Sequence, residues 1–80
     1  MITVKLFAAM AEEAGEDTLT LSWNEGMSTE DVKRWLGERY PALVPRIPAA
    51  MVAVNQEFAA GSAALKDGDE VAFIPPVSGG

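Results

Sequence analysis

Hydrophobic and polar positions alternate at the start of the chain. Ile2, Val4 and Leu6 fall on one side, Thr3 and Lys5 on the other, which predicts a strand with one buried face. The Ala-rich, acidic stretch "AMAEEAGED" follows and predicts a single helical turn closing at Gly15. "TLTLSW" alternates again, placing Leu19, Leu21 and Trp23 inward. Two strands joined by a short connection predict an antiparallel hairpin. At "NEGMSTED" the pattern changes. Ser28 followed three residues later by Asp31 is a relative of the capping box, and Glu30 and Asp31 suit the positive end of a helix dipole. Val32, Trp35, Leu36, Arg39 and Tyr40 then keep helical spacing, with Val32, Trp35 and Leu36 as the buried stripe. Pro41 predicts a helix end at or before Tyr40.

"PALVPRIPAA" has three prolines in eight residues, too many for a regular helix or a central strand. It reads as a connector that packs Leu43, Val44 and Ile47 against the core. "MVAVN" is a strand, Asn55-Gln56 a turn, and "FAAGSAAL" a short edge strand followed by a loop. Asp67-Gly68 is a tight-turn signal. "EVAFI" is the last strand, with Val71 and Phe73 on one face and Ala72 and Ile74 on the other. The order strand, strand, helix, strand, short strand, strand describes an α+β roll in which one main helix covers one face of a sheet. One domain, residues 1–80, accounts for the whole chain, with residues 75–80 as an extended, flexible C-terminal tail.

Composition narrows the chemistry. The 80 residues are 49% apolar, enough for one compact core. The net charge is −6, which disfavours nucleic acid, since phosphate neutralisation by Lys and Arg supplies most of that affinity. No apolar run approaches membrane-spanning length, and the N-terminal stretch is not the pattern of a signal peptide. There is no Cys and no His. Disulfides, Cys-ligated metals, a cysteine nucleophile and every Ser-His-Asp triad are therefore excluded. Asp67-Gly68-Asp69 lacks the remaining ligands of a calcium loop and reads as a turn. Glu12, Glu13, Glu16 and Asp17 read as a solvated face, and Trp23 and Trp35 as core.

The residues after the last strand carry the candidate chemistry. Pro75-Pro76 keeps the chain extended and stops it continuing the ladder. Val77, Ser78, Gly79 and Gly80 follow, so the six residues from Pro75 reach about 20 Å from the body. A narrow channel in another protein could admit such a bare tip. The one reactive group it presents is the carboxylate of Gly80, a poor electrophile until activated, for example as an acyl-adenylate. That step needs ATP. No phosphate-binding Gly-x-x-x-x-Gly-Lys loop is present, so the activating enzyme is a separate protein and this chain binds no cofactor or metal itself. A carrier role and a plain binding module both fit. Phe58 and Ile74 are candidates for an exposed apolar docking face at the base of the tail. The competing reading tucks Ile74 under the proline-rich connector.

"DGDEVAFIPPVSGG" resembles the C-terminal signature of the small-subunit family of molybdopterin synthase (MoaD), ubiquitin-like β-grasp sulfur carriers. "VKLFAAMAEEAG" and "AVNQEF" resemble that family's first strand with its turn and its middle strand with its turn. The resemblance covers essentially the full length and implies a β-grasp fold with a mixed sheet. It implies that an E1-like, MoeB-like adenylyltransferase activates Gly80. A sulfur donor such as a cysteine desulfurase then converts it to a thiocarboxylate. The tail, Pro75 to Gly80, enters a MoaE-like large subunit and supplies sulfur to cyclic pyranopterin monophosphate, forming the dithiolene of molybdopterin. The large subunit holds the catalytic residues of a cytoplasmic heterotetramer, so this chain alone is not an enzyme. Phe58 and Ile74 match positions of the hydrophobic partner interface. Many members have Leu-Arg-Glu where this chain has Met10-Ala11-Glu12, which bears on any partner contact made there and leaves the tail untouched. Two alternatives share the fold or the ending: a ThiS-like carrier for thiamin synthesis or tRNA thiolation, and a non-covalent β-grasp interaction module.

Overall fold

The alternating segments pair into one five-stranded sheet in the computed structural model, which describes residues 1–76. The strands are β1 (Ile2–Leu6), β2 (Thr18–Leu21), β3 (Met51–Val54), β4 (Glu57–Phe58) and β5 (Glu70–Ile74). The helices are α1 (Ala8–Ala14) and α2 (Thr29–Arg39), and the connector between α2 and β3 forms two short 3-10 turns, Pro41–Leu43 and Ile47–Ala49. The sheet order is β2-β1-β5-β3-β4. β1 and β5 run parallel at its centre, and the other neighbours are antiparallel. This mixed sheet under a helix is the expected α+β β-grasp roll.

Alternation sorts the residues as the sequence predicts. Ile2, Val4, Leu6, Leu19, Leu21, Val52, Val71 and Phe73 are buried on one side, where Val32 and Leu36 of α2 and Met10 of α1 meet them. Each such side chain contributes about 1.5–3 kcal/mol by leaving water. Helix α2 starts at a capping box. The Ser28 backbone N–H donates to the Asp31 carboxylate at 2.9 Å. It ends with Tyr40 as its C-cap, just before Pro41. Gly37 is out of place by propensity, but a Cβ there would lie 3.3 Å from Val44 Cγ2, so the missing side chain lets the connector close on the helix.

Four expectations need correction. α1 is a seven-residue helix rather than one turn, closed by Gly15 in the left-handed region at φ 77°. It is held from outside: Arg46 of the connector pairs with Glu13, and the Tyr40 hydroxyl donates to Glu16 at 3.0 Å. Burial, then the Glu16 carboxylate, raises the Tyr40 phenol above its ordinary pKa. Those two glutamates are thus clamps as well as solvated charges. Val44 is 52% exposed, because a 3-10 turn buries Leu43 and rotates the next side chain outward. Trp23 lies beyond the end of β2, half-buried, with its indole N–H donating to the Leu65 carbonyl at 3.1 Å. Trp35 is also half-buried, at the rim of the core rather than inside it.

The β3–β4 turn stores strain. Asn55 and Gln56 have φ of 50° and 70°. Asn55 is compensated, since its side chain donates to Asp69 at 2.9 Å and accepts from the Glu70 N–H at 3.0 Å. No Gln56 side-chain bond is present among the described residues. Replacing it with Gly removes left-handed strain of about 1–2 kcal/mol against about 0.4–1 kcal/mol of added unfolded-state entropy. Gln56→Gly is therefore expected to raise the melting temperature by a few degrees; an unchanged or lower value in a thermal melt would count against the strain.

Asp31 and Asp69 respond to acid. The Ser28 backbone N–H holds Asp31 below the ordinary 3.8, and the Lys66 backbone N–H, then the Asn55 side chain, do the same for Asp69. A depressed carboxylate stabilises the fold fully above its unfolded value and loses that contribution as pH falls through its folded value. Urea unfolding should therefore show stability level near neutral pH and declining below 3.8. Asp69→Asn should flatten that decline.

Candidate functional site

The outer face of the sheet follows from the same alternation. Register places Phe58, Ala53, Ala72, Lys5 and Thr18 in one row across β4, β3, β5, β1 and β2. Met51 and Ile74 pair in the next row towards the end of β5, and Phe7 follows Leu6 in extended conformation at the same end. In the opposite direction the row is polar: Glu70, Thr3 and Thr20. The face is thus apolar at one end and polar at the other.

The apolar end is open to solvent. Phe58 is 67% exposed, Met51 51% and Phe7 46%, while Ala53 and Ala72 form a low floor between them at 4% and 9%. Ile74 is half-buried and packs outside the core cluster. Its register with Met51 gives it the parity of the outer face. The connector meets the prolines. Ala8, Ala9, Arg46, Ala49, Pro75 and Pro76 line a cleft of about 530 Å³. Pro75 is half-buried and Pro76 exposed, so the chain leaves the sheet along this cleft.

The structure therefore sets Ile74, Pro75 and Pro76 at one end of the sheet, with Phe58 one row back on the β4 edge. Val77, Ser78, Gly79 and Gly80 lie outside the described residues. Met51 and Phe7 were missed as members of the face. Their parity with Ala53 and with Lys5 would have identified both once the strands were paired. Among the described residues, no group of three or more acidic, His or Cys side chains could hold a metal ion, and no helix is long and apolar enough to cross a membrane.

A family model described as the ThiS family matches residues 4–80. The chain belongs to the ThiS family. Its relatives include the molybdopterin synthase sulfur carrier subunit of Chlamydomonas reinhardtii, 42% identical over 99% of this chain and 98% of that protein. Among solved structures, small archaeal modifier protein 1 of Haloferax volcanii superposes with a TM-score of 0.88 at 36% identity, over 99% of this chain and 98% of its own. Subunit 1 of the molybdopterin-converting factor of Helicobacter pylori, solved in complex with subunit 2, superposes with a TM-score of 0.71 over 99% and 97% of the two chains. At 22% identity that likeness is one of fold. The ThiS-family fold is therefore shared across full-length proteins of this size.

The exposed apolar end of the face is separable from the core. Phe58→Ser is expected to change unfolding free energy by no more than about 0.5 kcal/mol, whereas Phe73→Ala, at 0% exposure, should cost about 3–5 kcal/mol. Comparable destabilisation in the two variants by urea titration would show that Phe58 is a structural residue.

Proposed function

We propose that this chain is the sulfur carrier subunit of molybdopterin synthase. One observation carries the reading from the structure: the apolar end of the outer face and the exit of Pro75-Pro76 coincide. A protein that docks on Phe58, Met51, Ile74 and Phe7 necessarily sits beside the departing chain. The full-length relatives named as carrier subunits support the same role.

The chemistry resides on the Gly80 carboxylate. A MoeB-like, E1-like adenylyltransferase spends ATP to form the acyl-adenylate and releases pyrophosphate. A cysteine desulfurase or similar donor presents persulfide sulfur, which displaces AMP to give an acyl disulfide. A second thiol of the donor then attacks that disulfide, which releases the thiocarboxylate and leaves the donor as a disulfide. A MoaE-like large subunit then receives the tail, Pro75 to Gly80. The thiocarboxylate sulfur attacks a side-chain carbon of cyclic pyranopterin monophosphate. The carbon–oxygen bond there breaks with its oxygen leaving on phosphate or as water, and hydrolysis of the resulting thioester returns the carboxylate. Two carriers in turn supply the two dithiolene sulfurs. The carrier supplies no acid or base of its own to these steps. Catalysis lies in the large subunit of a cytoplasmic heterotetramer.

Likeness to small archaeal modifier protein 1 favours a second use of the same activated group, in which a lysine amine of another protein displaces AMP and forms an isopeptide bond. Intact mass spectrometry after incubation with the adenylyltransferase, ATP and a sulfur source separates the outcomes. The expected product is heavier by one sulfur replacing one oxygen at Gly80. Deletion of Gly80 should abolish that product with the domain still folded. A truncated chain that still supports molybdopterin formation would overturn the carrier reading, and conjugates to other proteins without the thiocarboxylate would favour the modifier reading.

A further inference from the structure

One charged residue breaks the apolar end of the outer face. Lys5 sits in the central row between Ala72 and Thr18, half-buried. The other cations of this acidic chain are mostly engaged. Lys33, Arg34 and Arg46 form ion pairs, and Arg39 lies over the Tyr40 ring. Lys66 lies beside Asp67, in the turn at the opposite end of β5. Among the described residues Lys5 has no ion pair and no side-chain hydrogen bond. Asp17, beside it, accepts from the Thr18 hydroxyl at 3.1 Å, and Glu70 lies one row away, paired with Thr3; neither forms an ion pair with Lys5.

A notch marks the place. Lys5, Phe7, Ala8, Ala11 and Asp17 line a depression of about 300 Å³ beside β1. Ala8 and Ala11 keep the α1 wall low, which leaves the notch open to a side chain from outside. If the face were covered by a purely apolar surface, Lys5 would be desolvated with no ion pair in place to offset the cost. From this placement we infer that the partner on this face carries a carboxylate that enters the notch and pairs with Lys5, and that this ion pair selects the partner.

The inference rests on the carrier reading, because the partner concerned is the molybdopterin synthase large subunit. The experiment measures binding of the full chain to that subunit from the same organism, by calorimetry at about 0.05 M and about 0.5 M salt. Lys5→Met keeps the aliphatic stem and removes the charge. It is expected to weaken binding at low salt by at least about tenfold and to bind with less salt dependence than the parent. Lys5→Glu should weaken binding further, and Lys66→Glu should bind as the parent does. Phe58→Glu tests the face itself and should abolish binding. Thermal melts confirm that each variant folds. If Lys5→Met matches the parent in affinity and salt dependence while Phe58→Glu does not bind, the ion pair is wrong and the docking face stands. If Phe58→Glu and Lys5→Met both bind as the parent does, the face and the ion pair are both wrong.

Discussion

The parallel pairing of β1 with β5 is the constraint on which the rest depends. It joins Thr3 to Glu70 and Leu6 to Phe73, almost the whole length of the chain apart. Closing so long a loop has an entropic cost that local contacts do not repay. Burial offsets it: Val4, Leu6, Val71 and Phe73 are all excluded from water in the same pair of strands. Because the two strands are parallel, they leave the sheet at the same end, so Phe7 and Pro75 emerge side by side. Because they are central, Pro75 departs from the best-supported part of the sheet and not from a fraying edge.

The same alternation that builds the core therefore builds the surface above it. An odd position on β1 is an outward position, and the register carries it across to Ala72, Ala53 and Phe58. Ala53 and Ala72 form the low floor, with Phe58 at the β4 edge and Met51, Ile74 and Phe7 in the next row above it, and this gives the face its relief. Polar residues at its far end confine the exposed apolar area to the side where the chain departs. Fold and docking surface are two consequences of one pattern.

Much of this was legible in the sequence because it depends on local chemistry. Alternation marked β1 and β5, Ser28 and Asp31 marked the start of α2, and Pro41 marked its end. Asn55-Gln56 and Asp67-Gly68 marked turns. The less legible parts depend on distant partners. Helix α1 has no capping side chain at Phe7, and Arg46 and Tyr40, which hold it, lie far along the chain. The proline count of the connector forbade a regular helix, yet it did not say which of Leu43, Val44 and Ile47 a 3-10 turn would expose. Phe58 and Ile74 were visible as candidates for the face. Met51, Phe7 and Lys5 join them only once register is known, because parity within a strand does not reveal which residues neighbour it across the sheet.

The placement of Lys5 also bears on what the face avoids. An exposed apolar patch beside the tail root could bring two copies of the carrier together through the same surface. Such a pairing would cover the Lys5 side chain of each copy with apolar surface. Among the described residues Lys5 has no ion pair in either copy, so the desolvation of both lysines would be costly. A partner bearing one carboxylate at the notch removes that cost and gains the apolar contact as well. A single cation in the central row thus makes the face unfavourable to itself and favourable to a complementary surface, without altering the core beneath it.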